Sequence, residues 1–459
     1  MNQAETILKN AFAAALAVAD PQKIVPEYLG KIFAGADTPS GKCLVVGAGK
    51  ASASMASALE AYAQEHWPTV QLEGVVLTRY GHNSPTKHIR IVEAGHPVPD
   101  RAGMDGAKEI LQLVNQLDRG DVLIALISGG GSSLLTLPQE GISIADMQQT
   151  TESLLRSGAP IEEMNVVRKH LSAILGGNLA RAAIARGARV EALLISDVTG
   201  DLPADIASGP CAPDYSSYQD ALSILTKYRL DSERIPDSVL RHLQMGADGQ
   251  VPETLKEGDL QQAQVQNHVI ATAHKSLEAA ANYIRGAGYE PLILGDTITG
   301  EAKDVALVHA AIARECSIHP ALLKPPLALI SGGECTVTLP LGVSGRGGRC
   351  SEFLLSLFAA TQDLLNISAL AADTDGIDGS EKNAGAWFTA QTRHASKALD
   401  LRPAEFLAAH DCYGFFAKLE ALVETGPTLT NVNDFRIILI DQSLIYFYVE
   451  SKPTSNNPA

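Results

Sequence analysis

The chain has 459 residues, 46% of them hydrophobic and only 5% aromatic, which fits a globular protein of two or three domains with a largely aliphatic core. Its 36 Lys and Arg are outnumbered by 52 Asp and Glu, for a formal net charge of -16, and no basic run offers the positive surface that a nucleic acid requires. No stretch approaches the roughly 20 apolar residues of a membrane span. The six cysteines are scattered, without a C-x-x-C pair or zinc-ligand spacing, and suit a reducing, cytoplasmic setting.

The apolar run Ala11–Ala19 continues in helical periodicity through Ile24 and Leu29, so it reads as structural helix and not as a secretory segment. Cys43–Gly47 is a short apolar strand opening onto Gly47-Ala-Gly49-Lys50-Ala-Ser52 at a strand-to-helix turn. Such a turn brings unpaired helix-start amides to an anion, with Lys50 at its mouth. The motif lacks the third glycine of a dinucleotide fingerprint and the Ser/Thr of a Walker loop. Strand patterns follow at Leu72–Leu77 and Ile89–Glu93, then the loop Gly95-His96-Pro-Val-Pro-Asp100, a helix over Asp105–Leu117, and a strand apolar on both faces at Asp121–Ser128.

Ser128-Gly129-Gly130-Gly131-Ser132-Ser133 follows that strand. Each glycine costs about 1 kcal/mol of extra backbone entropy relative to Ala, a cost that a phosphate-cradling nest of amides would justify. Three helical segments lie between Ile144 and Arg186, and one carries Arg168-Lys169-His170, which must fan around the helix so that not all can face one ligand. Arg168 could fork onto a carboxylate or phosphate. The buried strand Val190–Ser196 leads into Ser196-Asp197-Val-Thr-Gly-Asp201, whose acids are candidate Mg²⁺ ligands at a strand end.

The polar stretch Arg234–Gln264 reads as a linker, which places domains at 1–235 and 265–459 around a linker at 236–264, with the first helices free to pack on the second domain. Alternation restarts with strands at Val269–Thr272, Pro291–Leu294, Leu327–Ile330, Ala369–Ala372 and Arg436–Ile440, and helices between them. Glu334–Leu339 is expected to pair with Leu327–Ile330 as a hairpin arm. Ile330-Ser-Gly332-Gly333-Glu334 echoes the first glycine loop, so Gly332 and Gly333 are expected to bind phosphate in a second strand-end loop. Gly345-Arg346-Gly-Gly-Arg349 places two arginines where a transferring phosphoryl group could be stabilised. Asp373-Thr-Asp375-Gly-Ile-Asp378 starts like an EF-hand loop but lacks its later Glu, which leaves Asp375 as a third candidate metal ligand. No G-x-S-x-G elbow supports a hydrolase. The fold class expected is α/β, with two domains, mainly parallel sheets, a Rossmann-like first domain and an active-site cleft between the domains.

The stretches VVGAGKAS, EAGHPVPD, ISGGGSSLL, MNVVRKHLS, ISDVTGD, IASGP, ISGGECTVT, GRGGR, DTDGIDG, NAGA and TNVND, colinear from Val45 to Asp434, resemble the glycerate 2-kinase family with a MOFRL-type C-terminal domain, some of whose members carry a hydroxypyruvate reductase label. The resemblance implies ATP and Mg²⁺ as co-substrates, D-glycerate as acceptor and 2-phosphoglycerate as product. It suggests Lys50 as a catalytic or phosphate-binding cation and an arginine of GRGGR, Arg349 ahead of Arg346, as another. Arg168 and His96 are then candidates for holding the acceptor, and a homodimer is among the assemblies open to the chain. Leu175, Leu202, Cys350 and Leu429 stand where the family pattern has Lys, Asp, Asn and Gly. These departures keep a non-catalytic ligand-binding paralogue in view beside the kinase and an NAD(P)H-dependent hydroxypyruvate reductase.

Overall fold

A computed structural model describes residues 3–35, 39, 41–259, 264–319, 323–340 and 345–442. The expectation of disorder in the tail after Gln442 lies outside these residues. The chain divides into two compact units: a first one formed by Leu16–Ala273 with Pro427–Asn433, and a second formed by residues up to Ala15, His274–Gly426 and the chain from Asp434 onward.

The first unit is built on six parallel strands, β1 (Lys42–Ala48), β2 (Gln71–Arg79), β3 (Ile89–Ala94), β4 (Val122–Ile127), β5 (Arg189–Ile195) and β6 (Val265–Ala271), in the order β3-β2-β1-β4-β5-β6. This is the doubly wound Rossmann order, with its switch point between β1 and β4. Alternate residues of one strand enter different cores. Leu44, Val46 and Ala48 pack with Leu123, Ala125 and Ile127, whereas Cys43 and Val45 pack with Ile124 and Leu126. Burial on both faces is why these strands read as continuous apolar runs. The N-terminal apolar run forms the helices Gln3–Ala17 and Pro21–Ile32, separated where Asp20 caps the second through the Gln22 amide.

The polar stretch expected to be a linker is instead part of the first unit. It contains the helix Asp237–Ala247 with Val239 and Leu243 buried, the Glu253 carboxylate accepts from the Tyr218 amide, and the Leu255 amide donates to the Gly176 carbonyl. Its polar side chains bond within the unit, as when Thr254 donates to the Asp214 carboxylate and Lys256 to the Asp214 carbonyl, which composition alone does not reveal. The strand expected to open the second domain is β6, the last strand of the first sheet.

The second unit holds β7 (Glu290–Gly295), β8 (Gly300–Glu301), β9 (Leu327–Gly333), β10 (Cys335–Thr336), β11 (Ile367–Asp373), β12 (Gly385–Phe388), β13 (Leu422–Val423) and β14 (Asp434–Ile440). Its main sheet runs β13-β12-β11-β14-β9-β7. Only β7 and β9 pair in parallel, and the other four pairings are antiparallel, so the expected mainly parallel arrangement holds for the first sheet alone. Apolar runs signal burial but not direction, and β14 enters antiparallel between β9 and β11. The expected hairpin also fails. Gly333, at φ +114°, turns the chain off the sheet, and β10 pairs in parallel with β8, where Glu301 accepts from the Thr336 hydroxyl and the Thr338 amide.

Candidate active site

The loops after β1 and β4 meet at the switch point of the first sheet. The Ser128 amide donates to Ala48 O at 3.1 Å, the Lys50 amide to Gly129 O at 2.9 Å, and the Ala51 amide to Ser128 Oγ at 3.0 Å. Lys50 is half-buried there. Two glycines are sterically required. A Cβ on Gly49 (φ +145°) would lie 2.1 Å from Ser128 Oγ, and one on Gly130 (φ +80°) would lie 2.7 Å from His96 Nε2. The same test on Gly129 gives 1.8 Å to Asp197 Oδ2, so His96 and Asp197 both lie directly against the glycine loop. Gly131 and Ser133 spend their amides within the loop, on Ser128 O and Gly130 O, whereas those of Gly129, Gly130 and Ser132 have no acceptor among the described residues. A turn that bares main-chain donors in this way is an anion nest.

A chain of short contacts extends the loop to the Arg168 helix (Ile161–His170). Ser132 Oγ lies 2.8 Å from Ser208 Oγ, Ser208 Oγ donates to Asn165 Oδ1 at 3.3 Å, and Arg168 Nη1 donates to the same oxygen at 2.7 Å. Burial pulls the Arg168 guanidinium below its usual range, and it has no carboxylate partner among the described residues. Its two neighbours are committed elsewhere. Buried Lys169 lies 3.4 Å from Asp214 and 3.6 Å from Asp205, and His170 contacts Val166 O at 2.8 Å and Glu253 at 3.2 Å. Of these three side chains, Arg168 alone has no acidic partner among the described residues. The segment carrying Ser208 is wound left-handed at Ala207 (φ 51°), Ser208 (φ 57°) and Gly209 (φ 57°), and backbone strain of this kind gathers at functional sites.

Asp197 accepts from Asn431 Nδ2 at 3.1 Å, and its carbonyl accepts from Asn433 Nδ2 at 2.7 Å. Asp201 sits nearby in sequence at φ 54°. Among the described residues no cluster of three or more His, Cys, Asp or Glu side chains is placed to hold a metal.

In the second unit the expected glycine loop is absent: Gly332 and Gly333 belong to β9, are buried, and pair with Phe435 and Asp434 of β14. Arg349 begins the helix Arg349–Ala360 and is clamped by three carboxylates, Asp434 at 2.7 Å, Glu334 at 2.6 Å and Asp373 at 2.8 Å. Burial disfavours its charge, but these acids outweigh that and hold it well above the usual guanidinium range. Asp434 also accepts from buried Arg436 at 2.6 Å. Arg346 is more exposed, paired with Glu381 at 3.1 Å and lying over the Tyr413 ring. Asp375 is buried and accepts from the Ile377 amide as an Asx turn. Asp378 accepts from the Cys350 amide, the Ser351 amide and the Ser351 hydroxyl at the start of the Arg349 helix, while burial pushes its carboxyl up to about 6.

Leu175 and Cys350 are buried apolar positions in the two cores, Leu202 is exposed, and Leu429 has φ 59°. Asn165, Ser208, Asn431 and Asn433 were not among the residues expected from sequence, although all lie in motif stretches that were singled out. Ionic charge was the signal followed, and these are neutral amides and a hydroxyl.

Residues 7–244 match the family described as a domain of unknown function (DUF4147), and residues 327–434 match the MOFRL family. A protein of Agrobacterium vitis provisionally named hydroxypyruvate reductase is 45% identical over 95% of this chain and 94% of its own length. A glycerate 2-kinase of Pyrococcus horikoshii is 40% identical over 87% of this chain and 88% of its own. The crystal structure of a glycerate kinase from Thermotoga maritima superposes with a TM-score of 0.81 at 36% identity, covering 95% of this chain and 99% of that one.

Proposed function

The chain belongs to the glycerate 2-kinase family, and from that premise we propose that it transfers the terminal phosphoryl group of ATP to the 2-hydroxyl of D-glycerate, giving 2-phosphoglycerate and ADP. The observation that carries this reading is the set of unspent donors at the switch point. In a protein of net charge -16, the loop Ser128–Ser133 holds three amides beside Lys50 that have no acceptor among the described residues, and desolvated Arg168 has no carboxylate partner among them. Transfer between a nucleotide and a hydroxy acid gathers several negative groups, and its catalysis consists mainly of positioning and charge stabilisation.

In this reading the amides of Gly129, Gly130 and Ser132 cradle phosphate oxygens, Lys50 offsets charge on the transferring group, and Arg168 forks onto the glycerate carboxylate, with His96 against the loop as its neighbour. The hydroxyl oxygen forms the new bond to phosphorus as the bond to ADP breaks, and the hydroxyl proton is released to solvent water. Mg²⁺ usually takes one or two protein carboxylates and completes its shell with phosphate oxygens and water, and Asp197, lying on Gly129, fits that demand. Bound there, the ion would offset charge on the phosphates. Arg349 is proposed to serve turnover through the backbone it organises, its charge being spent on Asp434, Asp373 and Glu334.

A coupled assay should show Mg²⁺- and ATP-dependent phosphorylation of D-glycerate. No turnover from folded protein across a panel of hydroxy acids would defeat the proposal. The name carried by the Agrobacterium relative motivates a second reading, hydroxypyruvate reduction, which NADH oxidation on adding hydroxypyruvate would establish. The missing third glycine after Gly47 and Gly49 weighs against it.

A further inference from the structure

Many arginines in this protein are paired with acids: Arg90, Arg156, Arg181, Arg189, Arg314, Arg346, Arg349 and Arg436 all meet carboxylates. Among the described residues the desolvated guanidinium groups of Arg168 and Arg393 have no such partner. Arg393 is accounted for structurally. It donates to Phe358 O and the Thr361 hydroxyl at the C-terminal end of the Arg349 helix, where the helix dipole supplies negative charge, and it lies over the Phe358 and Phe388 rings. Arg168 has no such account. Its recorded partner is the carbonyl oxygen of Asn165, one turn earlier on its own helix.

The chemistry of that partner is informative. Positions three apart on a helix face each other, so this is where an Asp would most readily form an ion pair with Arg168. Asn offers the same oxygen in the same place without the charge. Because a guanidinium can only donate, Oδ1 must be the atom turned toward it. That oxygen is held from its other side by the Ser208 hydroxyl, itself 2.8 Å from Ser132 of the glycine loop. The guanidinium is thus linked through Asn165 and Ser208 to Ser132 of the glycine loop while its positive charge stays whole.

We propose that Asn165 is a positioning and specificity-determining residue: it aims Arg168 through a neutral hydrogen bond so that the full cationic charge is reserved for the carboxylate of the acceptor, and it selects for acidic over uncharged alcohols. This rests on the function proposed above. A carboxylate at position 165 would pair with Arg168 internally and repel the incoming acid.

The test is steady-state kinetics of Asn165→Asp and Asn165→Ser beside the wild-type enzyme, varying D-glycerate and ATP separately and monitoring thermal unfolding. The expected result is a D-glycerate KM raised at least tenfold by Asn165→Asp and only about threefold by Asn165→Ser, with the ATP KM within twofold in both. A purely structural role would lower kcat and thermal stability together and leave the acid KM unmoved, and that result overturns the inference. Equal KM rises in the two variants overturn the charge argument, and this arm also decides the matter through Asn165→Ser and Asn165→Thr should the Asp variant not fold: a tenfold or greater rise with these neutral side chains counts against it. A wild-type enzyme silent toward D-glycerate overturns the proposed function itself, whereas an active wild type with an unaffected Asn165→Asp variant overturns this inference alone.

Discussion

Two arginines, one in each unit, stand in opposite electrostatic settings. Arg168 is desolvated beside a neutral amide, and Arg349 is clasped by Asp434, Asp373 and Glu334. Both come from motif stretches that read as anion sites. A cation enclosed by acids has its field cancelled at short range and mainly organises the backbone around it. A cation left beside an uncharged oxygen keeps its field for a ligand. The first region should therefore be sensitive in turnover and the second in stability.

The largest effect is expected from Lys50→Ala, which should lower kcat by about 100-fold or more with an unfolding midpoint close to wild type; a comparable rate with normal KM values would show that the first region is not catalytic. Arg349→Ala removes the cation shared by Asp434, Asp373 and Glu334 and should cost about 3 kcal/mol of stability, read by urea unfolding. If it instead loses turnover with stability intact, the division between the regions is broken and Arg349 belongs with Lys50.

Asp378→Asn should cost about 2 kcal/mol, because an amide cannot accept all three hydrogen bonds offered at the helix start. Its pH signature follows from the raised carboxyl. The folded chain keeps this proton up to about 6, whereas the unfolded chain releases it near the ordinary value of about 4. Between these values the folded state binds more protons, so stability falls as pH rises through the window and levels off above it. The variant should lack that component of the slope. The smallest effect is a gain: Leu429→Gly should stabilise by roughly 0.5–1 kcal/mol, since a leucine at left-handed φ carries a steric cost that glycine avoids, and calorimetry would resolve the shift.

Much of the first unit was legible because its strands are buried on both faces and its glycines fall at strand ends, where the switch point gives them a purpose. Lys50, Ser128–Ser133, His96, Arg168 and Asp197 are all brought to one loop cluster. The second unit was less legible for a physical reason. Gly332 and Gly333 repeat the glycine pattern of the first loop, yet their backbone continues in β9 because β14 pairs along it. A glycine pair permits an exposed turn and equally permits close approach of another strand, and only the pairing partner decides. The stretch 236–264 misled for a related reason, since residues such as Glu253 are polar and nevertheless bonded into the first unit. Asn165 and Ser208 escaped because a neutral side chain gives no charge signal.

The segment Pro427–Asn433 carries a consequence for engineering. Seven residues encoded near the end of the chain bring Asn431 and Asn433 back to Asp197, and the next residue already opens β14. The N-terminal stretch makes the reciprocal exchange, with residues up to Ala15 grouped with the later half. Neither unit is therefore a contiguous cassette. A gene cut after Ala273 would strip the aspartate of both asparagines and deprive the other half of its opening helix.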